Sequence, residues 1–444
     1  MTPSRRADAP PQRSVYLSGI VGRYLTAPGG QRLGRLSDVI VRLCGVQCPV
    51  MTGLVAMVGK RAVFVPVSQV AALTGEAVEL STATIDLRPF ERREGEVLLR
   101  ADVQGHRLID VPNARLVRAF DLRLSRRGGD WVLDAADTRR RRRLAGRGDY
   151  AVHGRRSRDW HEFEPLIGHA DSAALRGPFA RIRRLKPAQI ADLLEDASSA
   201  EGTEILGRVH ADPDLEADVF EELDEDLATR LLGARTDTEI AAVLARMGAD
   251  DAADTISELP QGRRQSVLDL LPSGHRAKVI TLMGFNPASA GGLMNLDFVA
   301  LPGRLTVADA LAAVSGSRAL QPEALASIHV LDSDGRLYGV VRLVTLVQAD
   351  PAADLAQVCD ADPPRIGPGT DITDVAVLMT DYNLVTIPVV DDGRRMVGLV
   401  TVDDVLEVIL PGDWRRREAA APPDTRLGDS PADGDRSGQH KGER

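Results

Sequence analysis

A repeat of twelve residues constrains this chain more than any other feature. Leu244, Ile256, Leu268 and Ile280 fall twelve apart, and so do Met247, Leu259, Leu271 and Met283. Phe220 and Leu232 extend the first series backwards. Turn clusters separate the apolar pairs: Gly248-Ala-Asp-Asp251, Pro260-Gln-Gly-Arg263 and Pro272-Ser-Gly-His275. Twelve residues accommodate a two-turn helix and its turn. Such a helix cannot bury its apolar stripe alone, so residues 179–285 are expected to stack as a right-angled α-helical solenoid.

A second duplication follows over 286–412. His329-Val-Leu-Asp332 returns as Pro388-Val-Val-Asp391, and Gly339-Val-Val341 as Gly398-Leu-Val400, at an offset of 59 in both cases. Each half reads helix, strand, turn, strand, helix, and two such halves would pack their sheets together around a cleft. Residues 413–444 carry Pro, Gly, Asp and Arg without apolar periodicity and read as a disordered tail, as do 1–14.

Ahead of the helices, 15–143 alternates apolar and polar residues in short pieces punctuated by Gly and Pro, which predicts strands. Leu33–Val41 is echoed by Ala114–Leu122, which fits two small β-barrels, 15–95 and 96–143. Residues 144–178 read as a linker whose histidines (His153, His161, His169) serve as docking contacts. No apolar run reaches the roughly 18–20 residues that cross a bilayer; the best candidate, Val50–Gly59, stops at Lys60-Arg61. Met1–Arg13 lacks the apolar core of a secretory signal. Three cysteines (Cys44, Cys48, Cys359) are too few for a disulfide framework. A soluble protein of a reducing compartment is expected. The balance of 55 basic to 64 acidic residues, net −9, argues against a general nucleic-acid binder. Charge is unevenly spread: Arg139–Arg143 is a run of five arginines, whereas 212–226 carries nine carboxylates that repel one another unless neutralised.

Two stretches carry a family resemblance. Met247-Gly-Ala-Asp-Asp-Ala-Ala-Asp-Thr-Ile-Ser-Glu-Leu-Pro260 resembles the helical N domain of MgtE magnesium transporters, and Asn286-Pro-Ala-Ser-Ala-Gly-Gly-Leu-Met294 resembles that family's entry to its CBS pair. Thr386-Ile-Pro-Val-Val-Asp391 and Val397-Gly-Leu-Val-Thr-Val-Asp-Asp-Val405 are similar to CBS signatures. The Gly-x-x-Leu-Gly-x-Leu-x-Asp-Val pattern within Gly29–Val39 resembles a PRC-barrel. The implied fold is a multidomain α+β chain: PRC-like β-barrels, an MgtE N solenoid and a tandem CBS α/β pair.

The resemblance also implies a metal constellation. By position, family carboxylates that share magnesium ions fall on Asp218, Asp250 and Asp254 in the helical part, and on Asp404 and Glu407 in the CBS part. Asp250 and Asp254 are i, i+4, and Asp404 and Glu407 are i, i+3, so each pair shares a helix face. Hard oxygen ligands suit Mg²⁺ and also accept Mn²⁺. A further acidic family position is Asn383 here. Asp250 and Asp251 also read as simple helix-start residues. The adenine-nucleotide element of CBS pairs, Gly-x-x-[Ser/Thr]-x-x-Asp, is intact at Gly398, Thr401 and Asp404. In the first half it has become Gly339, Arg342 and Thr345, which leaves Arg342 as a phosphate contact. A strand–helix turn residue is the plainer reading of Asp404.

No catalytic constellation is present, and an enzyme is not expected. The resemblance implies a cytoplasmic regulator, including one at the inner face of the membrane. It would sense Mg²⁺ by closing its helical domain on the CBS pair, and would act on a separate membrane-embedded divalent-metal transporter. The family also implies a homodimer through the CBS domains. A CBS adenine-nucleotide sensor and a PRC-barrel adaptor for RNA stand as the alternatives.

Overall fold

A computed structural model describes residues 14–42, 48–93, 95–139, 157–166, 180–318, 320 and 322–410. The tail, most of the linker, most of the arginine run, Cys44, His153 and His169 lie outside these residues. The chain forms two compact units, Met1–Pro287 with Met294–Leu296 and Ala288–Leu293 with Asp297–Arg444.

The first unit begins with an eleven-stranded, barrel-like sheet. Its longest strand, Arg32–Arg42, pairs antiparallel with Val50–Val58, which in turn pairs with Arg61–Pro66. Gly53 permits that crossing: a Cβ there would sit 2.7 Å from the Val65 carbonyl oxygen. The strands Asp121–Arg127 and Asp130–Asp137 join the same sheet, through Val132 opposite Val50. One apolar core runs through both stretches, from Val15 to Phe163. The echo of Leu33–Val41 in Ala114–Leu122 therefore does not mark equivalent elements. The first lies within one strand. The second is divided between Arg115–Arg118, in a separate three-stranded sheet, and Asp121–Arg127. The break falls after buried Ala119, whose N–H still donates to the His106 carbonyl in line with the smaller sheet, whereas the Phe120 N–H donates to the Asp137 carbonyl of the large one.

The same unit continues as helices: α1 (Pro187–Asp196), α2 (Ser199–Val209), α3 (Pro213–Glu221), α4 (Glu225–Gly233), α5 (Asp237–Leu244), α6 (Ala249–Glu258), α7 (Gln261–Leu270) and α8 (Ser273–Leu282). Local chemistry sets their starts. Ser198 with Glu201 and Thr236 with Glu239 form capping boxes. Asp212 accepts from the Leu215 N–H with Pro213 at the first helical position, and Pro260 and Pro272 precede α7 and α8. From α3 onwards each helix packs on the one two ahead: α1, α3, α5 and α7 form one column, and α4, α6 and α8 another, while α2 packs on α1 and α3. The twelve-residue stripe is buried at Phe220, Leu232, Leu244, Ile256 and Leu268. It fails at Ile280, which is 48% exposed, because α8 turns Val279 and Leu282 inward instead.

The second unit holds the duplicated halves. In the first, Ala300–Pro302 runs parallel to Ser327–Leu331, which pairs antiparallel with Leu337–Arg342. In the second, Ile366 bridges in parallel to Val389 of Thr386–Val390, which pairs with Met396–Thr401. The helices Val307–Gly316 and Leu343–Gln348 in one half correspond to Ile372–Tyr382 and Val402–Ile409 in the other. Both halves are thus strand, helix, hairpin and helix, in the order the 59-residue offset predicts. The Ala290–Leu293 turn is hydrogen-bonded to the segment between Ile366 and the helix Ile372–Tyr382 of the second half, through Ala290 N–H to the Thr370 carbonyl and Gly291 N–H to the Pro368 carbonyl.

Candidate functional site

The acidic stretch does not simply face water. Asp218 and Glu221 lie on α3, and Asp250 opens α6. The Gly248 N–H at the head of α6 donates to Glu221 Oε1 at 2.7 Å, which ties the end of α3 to the start of α6. Glu221 is pushed up to about 7 by burial and by the neighbouring carboxylates of Asp218, Asp250 and Glu222, with the Gly248 N–H acting the other way. Asp218 is also raised, by burial and then by Asp214, Asp212 and Glu222. One turn further along α6, Asp254 is pushed up to about 6 by burial and by Glu225 and Glu258. Glu225 is raised by burial and by the neighbouring carboxylates of Glu258, Asp226 and Asp224.

Three of the five expected metal residues, Asp218, Asp250 and Asp254, therefore sit in two adjoining patches of carboxylates that destabilise one another's charge. Sequence reasoning missed Glu221, Glu225 and Glu258. Glu221 lies i+3 from Asp218, on the same helix face, which was the available signal. The donor set is oxygen only, which suits a hard divalent cation. Among the described residues, no group of three or more His, Cys, Asp or Glu side chains is disposed to hold a metal ion.

Asp404 and Glu407 lie on Val402–Ile409 of the second unit. The Thr401 hydroxyl donates to Asp404 Oδ2 at 2.6 Å, a capping box that closes the strand–helix turn. Arg342 is exposed and occupies the corresponding place at the start of Leu343–Gln348, opposite Ser327 as Thr401 is opposite Thr386. A cavity of about 560 Å³ in this unit lies at the hairpin tips, lined by Asp332, Arg336, Tyr338, Asp362, Asp392 and Arg394 among others. None of Arg342, Thr401 and Asp404 lines it. Asn383 ends Ile372–Tyr382 at φ +51°, a left-handed position that asparagine adopts more readily than most residues.

Cys48 is buried, with its Sγ 3.3 Å from His161 Nε2, and burial pushes its thiol up. Arg181 donates to the His161 and Phe163 carbonyls, so His161 sits where the β region meets the helices. Among the described residues, no helix is long and apolar enough to cross a membrane.

Comparison with known proteins agrees with this division. Residues 185–288 match the family model of the MgtE intracellular N domain, and 355–411 match that of the CBS domain. The magnesium transporter MgtE of Thermus thermophilus is 37% identical over 163 residues, which cover 36% of this chain and 36% of that protein. The magnesium transporter MgtE of Bacillus subtilis is 27% identical over 198 residues, 44% of this chain and 43% of that protein. The matches thus span between about a third and somewhat over two fifths of these relatives' length. Among solved structures, the cytosolic domain of the Mg²⁺ channel MgtE in complex with ATP aligns at a TM-score of 0.48 with 28% identity, covering 54% of this chain and 94% of that one. The soluble part of a magnesium transporter aligns at 0.49 with 24% identity, covering 53% and 92%. This chain carries an MgtE-type N domain followed by a CBS region.

Proposed function

We propose that this chain is a magnesium-sensing regulatory protein of divalent-metal transport. Without the ion, the carboxylates of the helical domain and those of the CBS pair repel. With Mg²⁺ the repulsion is screened, the helical domain closes on the CBS pair, and the closed form acts on a membrane-embedded transporter. The observation that carries this reading is the mutual destabilisation around α3 and α6, where Glu221 is raised to about 7 and Asp254 to about 6. Such groups gain most from a bound cation. The names of the relatives support the choice of magnesium, and Mn²⁺ would enter the same oxygen set. Asp218, Asp250 and Asp254 would supply one side of the ion's shell, and Asp404 and Glu407 the other.

Exposed apolar side chains on the CBS helices, Val344, Val347, Val377 and Ile409 among them, favour a second copy of the chain as the partner of that unit. Adenine nucleotide is the second ligand considered, with Arg342 toward phosphate and Thr401 and Asp404 toward ribose. The exposure of Arg342 favours it.

Small-angle scattering of the full chain tests the reading. Millimolar MgCl₂ should lower the radius of gyration, and Asp250→Ala with Asp254→Ala should abolish the change. A wild-type radius indifferent to Mg²⁺ would overturn it. Calorimetry with ATP in place of MgCl₂ separates a nucleotide sensor from a metal sensor.

A further inference from the structure

The first unit carries a basic corner unrelated to the acidic helices. Tyr24 lies on the strand Tyr24–Thr26, opposite Arg35, with Arg32 opposite Thr26 on the same neighbouring strand. The guanidiniums of Arg32 and Arg35 both stack on the Tyr24 ring, each 4.3 Å from its centroid. Arg23 precedes Tyr24. The register that sets Arg35 opposite Met57 runs on toward the next hairpin turn, where Lys60 and Arg61 lie. Arg23, Arg32, Arg35, Lys60 and Arg61 are all exposed. Among the described residues none of the five forms a salt bridge. The nearest acids by register are Glu79, opposite Thr26, and Glu76 in the turn before it. A chain of net charge −9 thus concentrates five cations against two carboxylates at one end of a sheet.

We propose that this corner docks the protein on a membrane surface through anionic lipid headgroups. The cations are spread over two strand ends and a hairpin tip, which suits a field of many phosphates better than one phosphate ligand. Tyr24 already carries two guanidiniums, so its ring is not offered to a nucleobase, and single-stranded nucleic acid loses the stacking that usually holds it. Met57, directly opposite Arg35 and 36% exposed, adds an apolar side chain beside the cations, at the depth where headgroups meet acyl chains. The attraction of basic residues to acidic lipid falls off within a Debye length, so it acts only at contact. This inference stands apart from the cation-sensing reading, and either can fail without the other.

Co-sedimentation of the full chain with vesicles tests it. Binding should be absent on phosphatidylcholine, present when phosphatidylglycerol is added, and reversed by salt. Each cation removed should weaken partitioning roughly fivefold, so Arg32→Ala with Arg35→Ala should lose about 25-fold. Arg304→Ala, an exposed arginine of the other unit, should lose nothing. Unchanged melting of the double variant shows that its fold is intact. Equal binding to both vesicle types, no binding to either, indifference to the double variant, or displacement from vesicles by single-stranded RNA at matched phosphate concentration would each overturn the proposal.

Discussion

Ser327 and Thr386 stand 59 residues apart, the same distance as the internal repeat, and their buried hydroxyls meet at 2.9 Å. Each is the first residue of its half's central hairpin, so the bond joins equivalent points of the two halves. Removing one partner leaves the other hydroxyl buried and unpaired. Ser327→Ala should cost about 1–3 kcal/mol in urea unfolding, and Thr386→Val in the Ser327→Ala background should recover part of it. A strictly additive double variant would show that the pair does not couple the halves.

The acidic patches set a pH dependence. Glu221 moves from 4.5 when unfolded to about 7 when folded, and Asp254 from 3.8 to about 6. Across those windows the folded chain keeps protons that the unfolded chain has released, so their contribution to stability is present at low pH and lost as pH rises. Glu221→Gln, which still offers an acceptor to the Gly248 N–H, and Asp254→Asn should each raise the melting temperature above the window and have little effect below it. Mg²⁺ should raise the wild-type melting temperature chiefly above the window as well. A uniform gain at every pH would refute the charge-based account.

His329 behaves in the opposite sense. It is fully buried in the second unit, its Nε2 has no hydrogen-bond partner, and its Nδ1 lies 3.3 Å from the Val299 carbonyl oxygen. Burial lowers it from 6.5 to about 4, so the unfolded chain takes up a proton that the folded chain refuses. Stability should fall as pH drops through that window, by up to about 1.4 kcal/mol per pH unit. His329→Leu should remove this slope, measured as the difference in melting temperature from wild type at each pH.

Arg208 on α2 joins the helices to the β region. It pairs with Glu164 and Glu204, both buried, and donates to the Pro165 carbonyl at 2.7 Å. Arg208→Ala removes the cation that two buried carboxylates share, and a loss of about 3–5 kcal/mol in denaturant unfolding is expected. A loss under 1 kcal/mol would mean that the two acids accept protons without cost.

The repeats were the legible part of the fold, because period and offset are properties of the chain itself. The twelve-residue stripe located the helices, and the 59-residue offset located the paired halves. Ile280 escaped because packing against α6, rather than the period, decides which side of α8 is buried. The β region was harder. Leu33–Val41 and Ala114–Leu122 share a pattern, but long-range pairing, such as Val132 opposite Val50, assigned them to different elements, and no local signal encodes it. At the candidate site, Asp218, Asp250 and Asp254 were found through resemblance, while Glu221, Glu225 and Glu258 needed the packing of α3, α4 and α6. Carboxylates look alike in a sequence; only burial distinguishes those that hold a proton near neutrality.

The two interleaved columns of helices have a mechanical consequence. Because each helix rests on the one two ahead, a displacement started at α6 passes directly to α4 and α8. It reaches the other column through the packing of α6 on α7 and through cross-ties such as Glu221 to Gly248 and His275 to the Leu244 carbonyl. Glu221 is thus a hinge pin as well as a buried acid: its carboxyl oxygen accepts from the Gly248 N–H and so fixes the end of one column to the head of a helix in the other.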